Sequence, residues 1–183
     1  GILIASEQLR RPQKEALYIG ELSLDGTLRH TNGILPLALL AKEDPTHTLF
    51  LPMIDASEAA IIRGVDIYGV PSLLALIHHI KDNTTLTRHP YVSFRELRQT
   101  TVSEIDFADI QGQEQVKRAL EIAAAGAHNI FLHGPPGAGK TMLARALPTI
   151  LPSLTHEEAI EVTKIYSVTG NLPIGESIMK YRP

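Results

Sequence analysis

Apolar and polar positions change period several times along the chain, and each change marks an element. "ALYIGELSLDGTLRHTNG" places Asp25-Gly26 between two strand-like runs, a hairpin signal. "GILPLALLAKE" has helical spacing, and Pro36 fits only in its first turn. "HTLFLP" predicts a short buried strand ended by Pro52. "DASEAAIIRG" predicts a helix capped by Ser57 or Asp55 and stopped by Gly64. "VDIYGV" predicts another strand. "PSLLALIHHIK" predicts a helix with Leu73, Leu74, Ile77 and Ile80 on one face. Hairpin, helix, strand, helix, strand, helix is the order of an α/β unit, here residues 1–81.

Residues 82–104, "DNTTLTRHPYVSFRELRQTTVSE", keep no period and are rich in Thr and Arg. They read as a linker, or as an ordered loop packed on one domain. From Ile105 to Pro183 the pattern sharpens again. "GQEQVKRALEIAAAG" stacks Val116, Leu120 and Ala123 or Ala124 at helical spacing and ends at Gly126. "NIFLH" predicts a short buried strand. "SLTHEEAIEVTKIYS" predicts a helix opened by a capping box, Thr155 with Glu158, and a hydrophobic staple, Leu154 with Ala159. No internal repeat is visible.

Composition narrows the classes. Hydrophobic residues are 44% and charged residues 20% of the 183 positions, which predicts a packed core. A net charge of −3 with no basic block gives no nucleic-acid footprint by charge alone. The absence of cysteine excludes disulfides and thiolate metal sites, and fits a reducing, cytoplasmic setting. No apolar run reaches membrane-spanning length, so no membrane partner is expected. The opening "GILIASEQLRR" is too short for a signal peptide. A start on Gly1 inside an apolar segment reads as a chain cut at its N-terminus.

The chemistry lies in "NIFLHGPPGAGKTMLARALP". Gly134, Pro135, Pro136, Gly137, Ala138, Gly139, Lys140 and Thr141 satisfy the phosphate-loop pattern G-x-x-x-x-G-K-[ST]. Gly134, Gly137 and Gly139 allow backbone angles closed to other residues, so amide N–H groups can face an anion. A helix beginning at Lys140 points its positive dipole end at the phosphates. Lys140 is expected to reach the β- and γ-phosphates, and Thr141 to offer its hydroxyl to Mg²⁺. ATP with Mg²⁺, or ADP, is the expected ligand.

With "FADIQGQEQVKRALEIAAAG" before this loop and "LPSLTHEEAIEVTKIYSVTG" after it, the chain resembles the magnesium-chelatase-like AAA+ ATPases of the ComM/YifB competence-protein group. The first half resembles that group's ChlI-type domain, which is similar to the Lon protease domain and has a ribosomal-S5-like fold. The resemblance implies an S5/Lon-like α/β domain joined to the first part of a P-loop AAA+ α/β domain. It implies adenine contacts from the backbone of Ile110 and Gly112. It also implies a ring-forming ATPase acting on branched DNA in recombination or natural transformation. A metal-chelatase subunit driving Mg²⁺ insertion is one alternative; a truncated nucleotide-binding module without turnover is another.

A peptidase reading fails on one residue. Lon-type proteases use a Ser–Lys dyad. "NGILPLAL" resembles the segment that carries their lysine, and has Leu35 there. Ser6 and Ser23 have no base beside them. Hydrolysis of ATP needs a further acid for Mg²⁺ and a group that positions water. After Asp109 the chain has no aspartate, and Glu157, Glu158, Glu161 and Glu176 follow no apolar strand. No catalytic residue is therefore assigned, and the chain is expected to stop before the acidic strand. His133 reads as a strand-end residue fitting the turn. His78 and His79 point to different faces, and His156 has no third ligand, so no zinc site is expected. Arg88, Arg95 and Arg98 read as a solvated stretch rather than a DNA contact.

Overall fold

The computed structural model describes residues 1–11, 15–82, 84–98, 105–180 and 182. The first half holds α1 (Ile2–Ala5), β1 (Leu17–Tyr18), β2 (Glu21–Leu22), β3 (Leu28–Arg29), α2 (Ile34–Glu43), β4 (Thr48–Pro52), α3 (Ala56–Ala59), β5 (Asp66–Val70) and α4 (Leu73–Ile80). β1, β4 and β5 form a parallel sheet in the order β1-β4-β5, with Leu17 opposite Leu49 and Phe50 opposite Tyr68. The expected hairpin is β2 against β3, antiparallel, with Glu21 opposite Arg29. Asp25 accepts from the Thr27 N–H at 3.0 Å, and Gly26 sits at φ +84°, which fixes the tight turn. The class is mixed α/β.

The core lies between sheet and helices. Ile34, Leu35, Ala38 and Ala41 of α2 meet Leu49 and Leu51 of β4 and Ile67 of β5, all within 1% of full burial. Each fully buried Leu or Ile among them contributes about 1.5–3 kcal/mol.

Several elements differ from expectation. α3 ends at Ala59, and neither Ser57 nor Asp55 caps it through its side chain. Ala59, Ala60, Ile61 and Ile62 are all buried. Four consecutive positions span more than one face of a helix, so the chain leaves helical geometry to bury them together. On α4, Leu74 is 63% exposed. Ser72 caps the helix by accepting from the Ala75 N–H at 3.2 Å. It is His79 that faces the sheet, with its ring 5.4 Å from Phe50 and 5.8 Å from Tyr68. Its Nδ1 accepts from the Leu86 N–H at 3.1 Å, which fixes the ring.

Of the stretch 82–104, residues 84–98 run as an ordered loop on the first half, while Asn83 and residues 99–104 lie outside the described residues. The His89 N–H donates to Ile67 at 2.7 Å, and that of Val92 to Ala60 at 3.1 Å. Arg88 pairs with Asp66 at 2.8 Å rather than standing free. The short helix α5 (Phe94–Arg98) sets Phe94 and Leu97 against the core.

The second half holds α6 (Glu114–Gly126), α7 (Lys140–Ala146) and α8 (His156–Val168). The α6 helix does not stop on Gly126 as a left-handed residue; Ala127 takes that position at φ +51°. Gly126 instead leaves room for the His128 ring, which a larger residue would displace. A Cβ there would lie 2.4 Å from Nε2 of His128, whose N–H turns back to the Ala123 carbonyl. "NIFLH" forms no strand, and Phe131 is 87% exposed. Among the described residues no strand lies beside it to pair its backbone, so the expected burial is not made. The α8 capping box is present: the Glu158 N–H donates to Thr155 Oγ1 at 3.2 Å, and the Thr155 N–H to Glu158 at 2.9 Å. Leu154 and Ala159 are both buried, as the staple requires.

Candidate functional site

The phosphate-loop segment follows His133 and turns into α7 at Lys140. Gly137 and Gly139 have φ of +79° and +78°, in the left-handed region that disfavours a Cβ. An added Cβ at either would meet nothing within 4 Å, so the space above the turn is open. Gly134 differs from expectation: its φ is not in the left-handed region, and a Cβ there would meet only Ala138 at 3.9 Å. Pro135, Pro136 and Gly137 are exposed, while Ala138 and Gly139 are partly covered.

Lys140 folds back over the loop. Its Nζ donates to the carbonyl oxygens of Gly134 at 2.8 Å and Pro135 at 2.7 Å. Both acceptors are neutral, so the ammonium remains free to exchange them for an anion, which binds it more strongly. Thr141 is exposed on the first turn of α7. Lys140 and Thr141 also wall a cleft of about 350 Å³, otherwise lined by Leu120, Ile130, Leu132, Ala144 and Leu147.

α7 is anchored from below. Leu143 and Ala146 pack with Leu120 of α6 and with Phe107 and Ile110. Ile110, one of the two expected adenine contacts, is 3% exposed and shares this core with the loop helix. Gly112 stands two residues on at φ +71°. The Thr149 hydroxyl accepts from the Phe107 N–H at 3.0 Å, tying the segment before α6 to the turn after α7. The segment "DIQG" and the phosphate loop therefore sit on one small core. Among the described residues no group of three His, Cys, Asp or Glu is placed to hold a metal.

A second polar constellation went unread in the sequence. Asp55 and Glu58 are both buried, at 3% and 6% exposure. Asp55 takes His30 Nδ1 at 2.5 Å and the Thr31 N–H at 3.0 Å. Glu58 accepts from the Leu35 N–H at 2.8 Å and from Ser167 Oγ at 2.6 Å. The only sequence signal was two acids in an otherwise apolar stretch, which reads equally as a helix cap.

The Asp55 hydrogen bond raises His30 above its ordinary pKa, against a smaller lowering by burial. Burial raises Glu58, outweighing the donors from Ser167 and Leu35. Both folded-state values lie above the unfolded ones. Each contribution to stability is therefore full below the unfolded pKa and lost as pH rises through the folded one. The Glu58 share declines from the carboxylate range upward, and the His30 share from about pH 6.5 upward. The melting temperature is thus expected to fall between about pH 6 and about pH 8, and Asp55→Asn to flatten that slope. Circular dichroism melts across this range check it; a wild-type melting temperature that rises with pH contradicts the assignment.

Two family models match the chain: "Magnesium chelatase, subunit ChlI" over residues 106–183, and "Subunit ChlI of Mg-chelatase" over residues 1–55. An uncharacterized protein of Mycobacterium tuberculosis (strain H37Rv) is 41% identical over 183 residues, covering 98% of this chain and 35% of that protein. Competence protein ComM of Haemophilus influenzae is 36% identical over 178 residues, covering 93% and 34%. YifB of Escherichia coli K12, also uncharacterized, is 36% identical over 180 residues, covering 98% and 34%. The chain spans about a third of the length of these relatives. With the family matches at both ends and these identities over nearly all of it, the chain belongs to the magnesium-chelatase-like proteins of the ComM/YifB type.

Proposed function

We propose that residues 105–183 supply the nucleotide-binding part of an AAA+ ATPase, with ATP or ADP held at Gly134–Thr141, and that residues 1–81 are its S5/Lon-like domain. The observation that carries this is the turn itself: two left-handed glycines under open space, closed by a lysine on neutral carbonyls. The loop amides and Lys140 would hold the phosphates, Thr141 the Mg²⁺, and the backbone at Ile110 and Gly112 the adenine. Bound Mg²⁺ would supply charge neutralisation between the β- and γ-phosphates. The donor set fits: amides and one cation for an anion, one exposed hydroxyl for a hard cation.

For the whole protein we propose ring assembly in the cytoplasm and action on branched DNA. The name of the Haemophilus relative, competence protein ComM, supports this over porphyrin metallation. No described helix is long and apolar enough to cross a membrane. The test is fluorescence titration of the 183-residue chain with a fluorescent ADP analogue. Saturable binding displaced by ATP is expected, and no binding by folded chain sinks the proposal.

No peptidase activity is expected from the first half. Leu35 is fully buried in the core, where the dyad would need an amine. Ser23 accepts from Arg29 at 2.5 Å and Ser6 donates to Leu3, and among the described residues neither hydrogen-bonds to a base. Purified chain incubated with unfolded casein should leave it intact on a gel. Steady cleavage surviving Ser6→Ala and Ser23→Ala would show the domain to be misread.

A further inference from the structure

The core of the first half does not end with the first half. Leu154, Ala159 and Ile178 belong to the same buried cluster as Ile34, Leu35, Ala38, Leu49 and Leu51. α8 lies against α2 through Ala159, Thr163 and Ser167, four residues apart and nearly fully buried. These are small side chains, which let the two helices approach closely. Thr163 Oγ1 donates to Ala159 at 2.6 Å and accepts from the Met179 N–H at 2.8 Å, so the tail is tied to the same face.

At the far end of α8 the contacts become specific. One oxygen of Glu58 accepts both the Leu35 N–H at the start of α2 and the Ser167 hydroxyl of α8. The Ser167 carbonyl in turn accepts from the Gly33 N–H at 3.1 Å. Gly170 passes so close to Asn32 that an added Cβ would lie 2.8 Å from Nδ2. A buried carboxylate with two donors on one oxygen holds both firmly, because neither donor has water as an alternative.

The phosphate loop has a separate core: Phe107, Ile110, Leu120, Leu143 and Ala146. Phe94, before it, and His156, after it, have rings 5.3 Å apart.

We infer that residues 154–180 fold with the first half as one cooperative unit latched by Glu58, and that residues 105–150, with their own core, are an insert in the chain between Phe94 and His156, whose rings touch. The family boundary near residue 106 and the folding boundary are then different places. The first half becomes the frame to which α8, which follows the phosphate-loop helix after residues 147–155, is fixed.

Native-state hydrogen exchange in low urea, on the 183-residue chain without nucleotide, tests this without relying on the phosphate-loop reading. Amides of α2, β4 and α8 should open together with one urea dependence, and those of α6 and α7 in a separate step. Glu58→Ala should cut protection of α2 and α8 together by about ten-fold or more, leaving α6 and α7 unchanged. Ser167→Ala, a milder change that keeps the carboxylate, should act in the same direction if Glu58→Ala fails to fold. The inference is overturned if α8 opens with α6 and α7, if all five segments open in one step, or if α8 keeps its protection in the variants that fold.

Discussion

Lys140→Ala is expected to weaken ADP binding by roughly 10- to 100-fold, because a hydrogen bond to a charged group is worth about 1.5–3 kcal/mol. The structure gives the lysine two tasks. Its ammonium closes the loop on Gly134 and Pro135, and the same group is the only lysine on the loop or in α7. Losing it removes a cation and loosens a turn that already contains two left-handed glycines. Titration calorimetry measures the affinity, and far-ultraviolet circular dichroism separates lost binding from lost fold. α7 is held by Leu143 and Ala146 on the opposite face, so the fold should survive. Equal ADP affinity in wild type and variant would remove the lysine from the site.

What could be read in the sequence was local. Thr155 and Glu158 predict their capping box because its chemistry spans three residues, and both hydrogen bonds form. Asp25-Gly26 predicts its hairpin for the same reason. The glycine and lysine spacing predicts a tight turn into a helix at Lys140; Gly137 and Gly139 take the left-handed angles it asks for, while Gly134 is conformationally ordinary. What escaped depends on residues far apart. Glu58 and Ser167 are 109 positions apart, and no periodicity links an acid in the first half to a serine near the end. The role of α8 escaped for the same reason, since its inner face of Ala159, Thr163 and Ser167 is too small and polar to announce a core helix. "NIFLH" fails in the opposite sense. Its composition is that of a buried strand, but burial needs neighbours that no local pattern supplies.

That exposed run bears on the second large effect. Expressed as it stands, the 183-residue chain should bind nucleotide yet turn over ATP negligibly. A Mg²⁺-holding acid, a water-positioning group and an arginine finger are the recurring parts, and the finger alone is worth about 10³–10⁵ in rate. Beyond Thr141 the acids are Glu157, Glu158, Glu161 and Glu176. Glu158 is held by Thr155 and by Arg182 in two contacts of 2.8 and 2.9 Å, which keep its carboxyl below the usual range. Glu161 pairs with Lys164 and Glu176 with Lys180, while Glu157 stands on the first turn of α8. α8 itself is fixed to the first half rather than to the loop's core. Ile130 and Phe131 meanwhile expose apolar side chains, so the same chain should aggregate on concentration. A chain as long as the relatives should be more soluble and should hydrolyse ATP. Phosphate release at saturating ATP compares the two, with light scattering as the companion measurement. Turnover by the short chain at even about 1 s⁻¹, within the ordinary enzyme range, would mean that one of these four glutamates, or an acid before the loop, reaches the metal after all.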